Sequence, residues 1–200
     1  MPRPMSQTEP LQLVADARAV LEEGLEDALS MLRADRGNVQ IVDPVTGSLR
    51  IAAQAGFNDE FLEYFAIVDD EGSACGRAAR ELAQTVIADV STDPRFAPHR
   101  EIAAASGFRA VHSTPLVDLK GHLVGVLSTH YPYPYRPPDR DLELMKRFGE
   151  LIGQAIEASL EADGQAASMR FTELIGACRP SRRAWRPTAR RTPAQVSASP

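Results

Sequence analysis

"RAVHSTPLVDLKGHLVGVLSTH", residues 109–130, decides the fold of this chain. Two runs rich in β-branched and apolar residues flank "DLKGH", a polar turn with a glycine, so the stretch predicts two antiparallel strands near 110–117 and 123–131. With the turn centred on Lys120, His112 lies opposite Ser128 and Ala110 opposite His130. Side chains alternate with period two, so His112, Thr114, Leu116, Val124, Val126, Ser128 and His130 are expected on one face. His112 and His130 would then be diagonal neighbours within reach of one ligand.

The same punctuation organises the rest of the chain. Upstream, "RGNVQIVDPVTGSLRIAAQAGF" predicts another hairpin, with strands near 38–42 and 48–54 around "DPVTG". Before it, residues 8–32 carry apolar side chains at Val14, Ala17, Leu21, Leu25, Ala28 and Leu32, the spacing of an amphipathic helix. "NDEFLEYF" predicts a short helix capped by Asn58, with Phe61, Leu62 and Phe65 on one side. A short helix follows "GSACG", then a strand in "TVIADV", then a helix near 98–106 stopped by Gly107. After the proline-rich "YPYPYRPPDR", whose tyrosines read as an exposed connection, Asp139 begins a last helix to about 162. Tight hairpins call for an antiparallel sheet, and helices at both sequence ends make an α+β domain.

Composition narrows the function. An apolar content of 44% suits one globular core. No apolar run approaches a membrane span and no signal peptide opens the chain, so no membrane partner is expected. Two cysteines, Cys75 and Cys178, make no disulfide framework, and the expected compartment is the reducing cytoplasm. All 27 acidic residues lie at or before Glu173, whereas six of the 22 basic residues follow it, leaving a body of net charge −11. Such a body argues against nucleic acid as a partner. Residues 163–200, rich in Arg, Pro, Ala and Ser, read as a disordered tail, of native origin or from a shifted reading frame.

Residues 36–162 resemble a GAF domain, the small-molecule sensing module of bacterial signalling proteins. The resemblance rests on "GSACGRAA" (72–79), "VIADVSTDPRF" (86–96), "GFRAVHSTPL" (107–116), "GHLVGVLSTHY" (121–131) and the closing helix "PPDRDLELMKRFGELIGQAIE", over about 125 residues. The subtype is similar to GAF domains found alone or beside PAS domains and histidine kinases of two-component systems. The resemblance implies a central antiparallel sheet with the terminal helices packed on one face and a ligand pocket roofed by loops and short helices on the other. The expected pocket walls are Phe61, Phe65, Cys75, Phe96, His112, Thr114 and Ser128.

The expected function is non-catalytic sensing in signal transduction, relayed through a homodimer of the terminal helices. Residues 1–35 form the dimerising segment, with Val14, Leu21, Ala28 and Arg18, Leu25, Leu32 on a heptad-like seam. The principal alternative is a thiol-dependent reductase like the free-methionine sulfoxide reductases, using Cys75; a further one is a fragment of a sensor kinase, for which no kinase catalytic segment follows. No metal is expected, because His112 and His130 lack further ligands, and the ligand or cofactor is left unknown. The Cys-His pair for bilin attachment and the Asn-Lys-Phe-Asp-Glu set of cyclic-nucleotide-binding GAF domains are both missing. Asp89 and Asp93 resemble an acid–base pair, but "STDP" reads better as a capped turn.

Overall fold

A computed structural model describes residues 8–160, with side chains from Arg18 to Ala158. Helix α1 (Thr8–Leu32) leads into β1 (Arg36–Val42) and β2 (Leu49–Ala55). Then come α2 (Asp59–Tyr64), α3 (Ala74–Glu81), β3 (Thr85–Ile87), α4 (Arg100–Ala105), β4 (Ala110–Val117), β5 (Leu123–Tyr131) and α5 (Asp139–Leu160). The strands form one antiparallel sheet in the order β2-β1-β5-β4-β3. The proposed tail, residues 163–200, lies outside the described residues.

The β4–β5 turn forms as its residues dictate. Asp118 Oδ1 accepts the N–H groups of Lys120 and His122 at 2.8 and 2.7 Å, and Gly121 supplies the positive φ of 83° that the reversal requires. Val117 pairs with Leu123, so the turn is centred on Lys120 as the sequence predicts. The next pair, however, is Leu116 with Gly125. Val124 is the extra residue of a β-bulge, and beyond it the register is displaced by one.

That displacement corrects the predicted face. His112 pairs with Thr129, Ser113 with Ser128 and Val111 with His130. His112, Thr114 and Leu116 therefore share the α1/α5 side with Leu127 and Tyr131, while Val111, Ser113, Val126, Ser128 and His130 point the other way. His112 and His130 are on opposite faces. One ligand cannot reach both.

Each sheet face has its own core. One gathers Leu21, Leu25, Ala28 and Leu32 of α1 and Met145 and Ile156 of α5 over Val39, Ile41, Leu116 and Leu127. The α1 side chains described from the heptad-like seam are thereby mostly buried in the chain's own core: Leu21, Leu25, Ala28 and Leu32 are at most 4% exposed. The second core packs α2, α3, α4 and their loops over Val111 and Val126. Tyr131 also departs from expectation. It is buried and its hydroxyl donates to Leu32 O at 3.3 Å, where the sequence reads an exposed connection.

Helix α5 approaches β4 so closely that its contact residues must be small. A Cβ on Gly149 would stand 2.8 Å from Thr114 Cγ2 and 2.9 Å from Pro115 O, and one on Gly153 would overlap the Val117 backbone. Backbone cannot yield as a side-chain tip can. Gly153→Ala is expected to cost about 1–3 kcal/mol, read as a lower thermal midpoint. Gly47→Ala, also a glycine-to-alanine change but in a hairpin turn with nothing within 4 Å, lacks that overlap and meets only the strain of its φ of 73°.

Candidate functional site

On the face away from α1 and α5, the sheet is floored by polar side chains. Asn38 and Gln40 project from β1, Ser113 from β4, and Ser128 and His130 from β5. Asn38 pairs with Ser128, which pairs with Ser113, so three polar residues lie in line across three adjacent strands. The serine hydroxyls bond each other at 2.8 Å. The roof is Phe61 and Phe65 of α2, Ser73–Cys75 at the start of α3, and the loop residues Phe96 and Phe108.

Between floor and roof is a cavity of about 20 Å³, on a scale where one water needs about 10–15 Å³. Several buried polar atoms at its floor have no partner within the protein: Asn38 Oδ1, both Nε2 and Oε1 of Gln40, and His130 Nδ1. Gln40 is 0% exposed. Leaving one such group unsatisfied costs about 1–3 kcal/mol, and native interiors seldom tolerate it.

His130 sits among aromatic rings, 4.7 Å from the Phe108 centroid and 4.9 Å from that of Phe57, both edge-on. Burial, with Arg36 nearby, pushes its pKa down to about 3, so the ring is neutral. Burial likewise lowers His112 to about 4 on the other face, where Nε2 lies 3.3 Å from Thr114 Oγ1.

Polar contacts lace the roof together. Arg77 holds Asp93 with two bonds of 2.9 and 2.7 Å and donates to Gly72 O, and Asp93 Oδ1 accepts the Phe96 N–H. Asp70 accepts the N–H groups of Gly72 and Ser73 and lies 3.2 Å from His99 Nε2. The other His99 nitrogen is 3.0 Å from the Tyr64 hydroxyl of α2. Burial pushes the Asp70 carboxyl up, but the His99 bond and the backbone N–H groups outweigh it and hold the pKa far below the usual range. Asp89 and Asp93 are no acid–base pair: each is bonded to its own arginine, Arg109 and Arg77, and both are held down to about 2.

Of the seven expected walls, Phe61, Phe65, Cys75, Phe96 and Ser128 border this cavity. His112 and Thr114 do not, because the bulge turns them toward α5. The sequence reading missed Asn38, Gln40, Ser73, Ala74, Phe108, Val111 and Ser113, and left His130 off the wall. Asn38 and Gln40 alternate with Val39 and Ile41, which is the pattern of a strand with one wet face.

Cys75 is buried, its thiol pushed up to about 11 by burial against the pull of its bond to Ser73 Oγ at 3.5 Å. At neutral pH only about one in 10,000 such thiols is ionised. Among the described residues no cluster of His, Cys, Asp or Glu is placed to hold a metal, and no helix is long and apolar enough to cross a membrane.

The GAF domain family profile matches residues 16–156, and the chain belongs to the GAF domain family. No curated protein matches it. Among solved structures, it is similar to the GAF domain from a phosphoenolpyruvate-protein phosphotransferase of Coxiella burnetii (16% identity, TM-score 0.64, covering 80% of this chain and 99% of that one). It is also similar to free methionine-R-sulfoxide reductase from Neisseria meningitidis, solved with its substrate (20%, 0.60, 78% and 89%). A third is the GAF-B domain of DevS from Mycobacterium smegmatis (21%, 0.55, 72% and 95%). Identities this low carry the fold and leave the ligand open.

Two outcomes follow. Iodoacetamide at neutral pH should leave Cys75 unmodified in the native chain and label it after denaturation, as read by peptide mass mapping. Asp93, with a folded pKa of about 2 against 3.8 ordinarily, contributes stability above pH 4 that disappears as pH falls through 2. Asp93→Asn should therefore be less stable than the parent by about 2 kcal/mol at pH 7, and the gap should close toward pH 2 in acid-unfolding curves.

Proposed function

We propose that this chain is a non-catalytic sensing module of signal transduction that accepts a small molecule in the roofed cavity. The observation that carries this reading is the unpartnered Gln40 carboxamide, wholly buried at the floor beside Asn38 and His130. Polar groups in such a position suit a ligand that supplies the missing partners. The tightness of the cavity means that anything larger than one or two waters must push back the Phe61 and Phe65 side of the roof.

The signal would cross the sheet. Alternate residues of β1 and β5 face the ligand and the terminal helices, so a shift at Gln40 or Ser128 moves Val39, Ile41 and Leu127 against α1 and α5. Such coupling is typically about 1–3 kcal/mol. We infer that the receiving element is a homodimer formed through α5. Leu144 and Leu151, one heptad apart, are 47% and 64% exposed, whereas the exposed face of α1 carries Glu22, Glu23, Glu26 and Asp27. The reductase alternative has support in the fold shared with methionine sulfoxide reductases, but the un-ionised, buried Cys75 speaks against a nucleophile there.

Native mass spectrometry of the full chain purified from its own host should show twice the subunit mass plus a retained small molecule. A chain recovered empty, with a thermal midpoint unmoved by the host's small-molecule extract, would overturn sensing. Leu144→Glu with Leu151→Glu should convert dimer to monomer in sizing experiments without lowering the thermal midpoint of the folded unit. A parent that is monomeric at all concentrations would remove the dimer.

A further inference from the structure

We propose that the ligand is an uncharged molecule presenting a hydrogen-bond donor and acceptor side by side, a carboxamide, cyclic amide or imide, read by Gln40, Asn38 and His130. This rests on the sensing role and narrows it to a chemical class.

The polar atoms themselves define the edge. Gln40 offers both an unpartnered donor and an unpartnered acceptor, so the demand holds whichever way its amide is turned. Asn38 Oδ1, one step along the same face of β1, adds an acceptor, and His130 Nδ1 adds a site able to donate or accept by tautomer. A carboxamide satisfies donors and acceptors together. A carboxylate brings only acceptors, and an ammonium only donors.

Charge is excluded from the walls as well. Among the described residues no Asp, Glu, Lys or Arg borders the cavity. Arg77 is committed to Asp93 and Gly72 O, and Arg36 donates to Gly107 O at 2.6 Å. The N–H groups at the start of α3 are already answered. Asp70 takes the N–H groups of Gly72 and Ser73, and Ser73 Oγ takes that of Gly76 at 3.2 Å. An anion entering there would face a carboxylate. A cation would find phenylalanine rings overhead, yet one face of Phe61 is covered by Phe57, stacked at 3.6 Å, and no carboxylate lines the cavity to neutralise the charge.

The test uses the full chain and probes of matched shape: benzamide, benzoate and benzylamine, with acetamide and acetate as smaller counterparts that demand the least displacement of the roof. Ligand-observed NMR titrations should show the amides binding at least tenfold tighter than the carboxylates or the amine. Gln40→Leu should abolish amide binding while the thermal midpoint stays level or rises, because an unpartnered polar group has been removed. Thr114→Val, on the opposite face, should leave binding unchanged. Preference for benzoate or benzylamine overturns the class and leaves sensing standing. Binding of no probe overturns the class too, and the mass of the molecule retained from the host then decides sensing separately. A Gln40→Leu chain that loses stability assigns Gln40 a structural role and overturns its part in recognition.

Discussion

One inserted residue, Val124, governs which chemistry this domain turns toward its cavity. A strand displays its side chains alternately, so a one-residue change of register exchanges the entire set. Without the bulge, His112 and Thr114 would share a face with Ser128 and His130, and Ser113 would lie on the other face beside Leu127. With it, the α5 side of β4 and β5 carries Ala110, Leu116, Leu127 and Tyr131, which can be covered by a helix at close range. The polar residues Ser113, Ser128 and His130 are left for the other face. Close packing of α5 through Gly149 and Gly153 depends on the same choice, because those glycines meet Thr114, Pro115 and Val117.

Above the floor, the roof combines tight packing with polar lacing. Phe61, Phe65, Phe96 and Phe108 supply apolar contact, while Arg77–Asp93 and Tyr64–His99–Asp70 tie four separate segments by directional bonds. The two kinds of contact respond differently to a ligand. Aromatic rings can re-pack by small rotations, whereas a bidentate Arg77–Asp93 pair is kept or lost as a unit. Movement is therefore cheapest in α2, a six-residue helix capped by its own Asn58 and bonded to Pro98 and His99 through Tyr64, and most costly at the start of α3.

Much of this was legible in the residues. The helix at 8–32, the start of the last helix at Asp139, the Asn58 cap and both hairpin turns follow from periodicity and turn chemistry, and the structure has them where they were read, with the last helix described to Leu160 against an expected end near 162. The aromatic roof was legible in part, since Phe61 and Phe65 share one side of a short helix with Leu62 and Phe96 is a lone aromatic in a polar loop. What could not be read was the polar floor. Asn38 and Gln40 have the look of a solvent-facing row, and only the covering of that row by α2 and α3 makes them interior. The bulge leaves no mark in "GHLVGVLSTH" that distinguishes Val124 as the unpaired residue. The α1 seam shows a related limit: an apolar stripe on a helix reports that it is buried, not what buries it.

The two faces of the sheet have opposite polarity for a reason that bears on signalling. The face under α1 and α5 is mostly apolar, with His112, Thr114 and Thr129 as its buried polar members, and α5 meets β4 at backbone distance through Gly149 and Gly153, a fit with little give. The cavity face keeps polar atoms whose partners are not supplied by the fold, at a cost in stability. A domain serving only to assemble would gain from Leu at position 40, since an apolar side chain there removes that cost. Under the proposed sensing role, glutamine at position 40 would make the folded state depend on what enters the cavity, and the same strands would convey the result to α5. A stabilising contact absent from the protein's own residues is a means for a small molecule to change the balance between two packings.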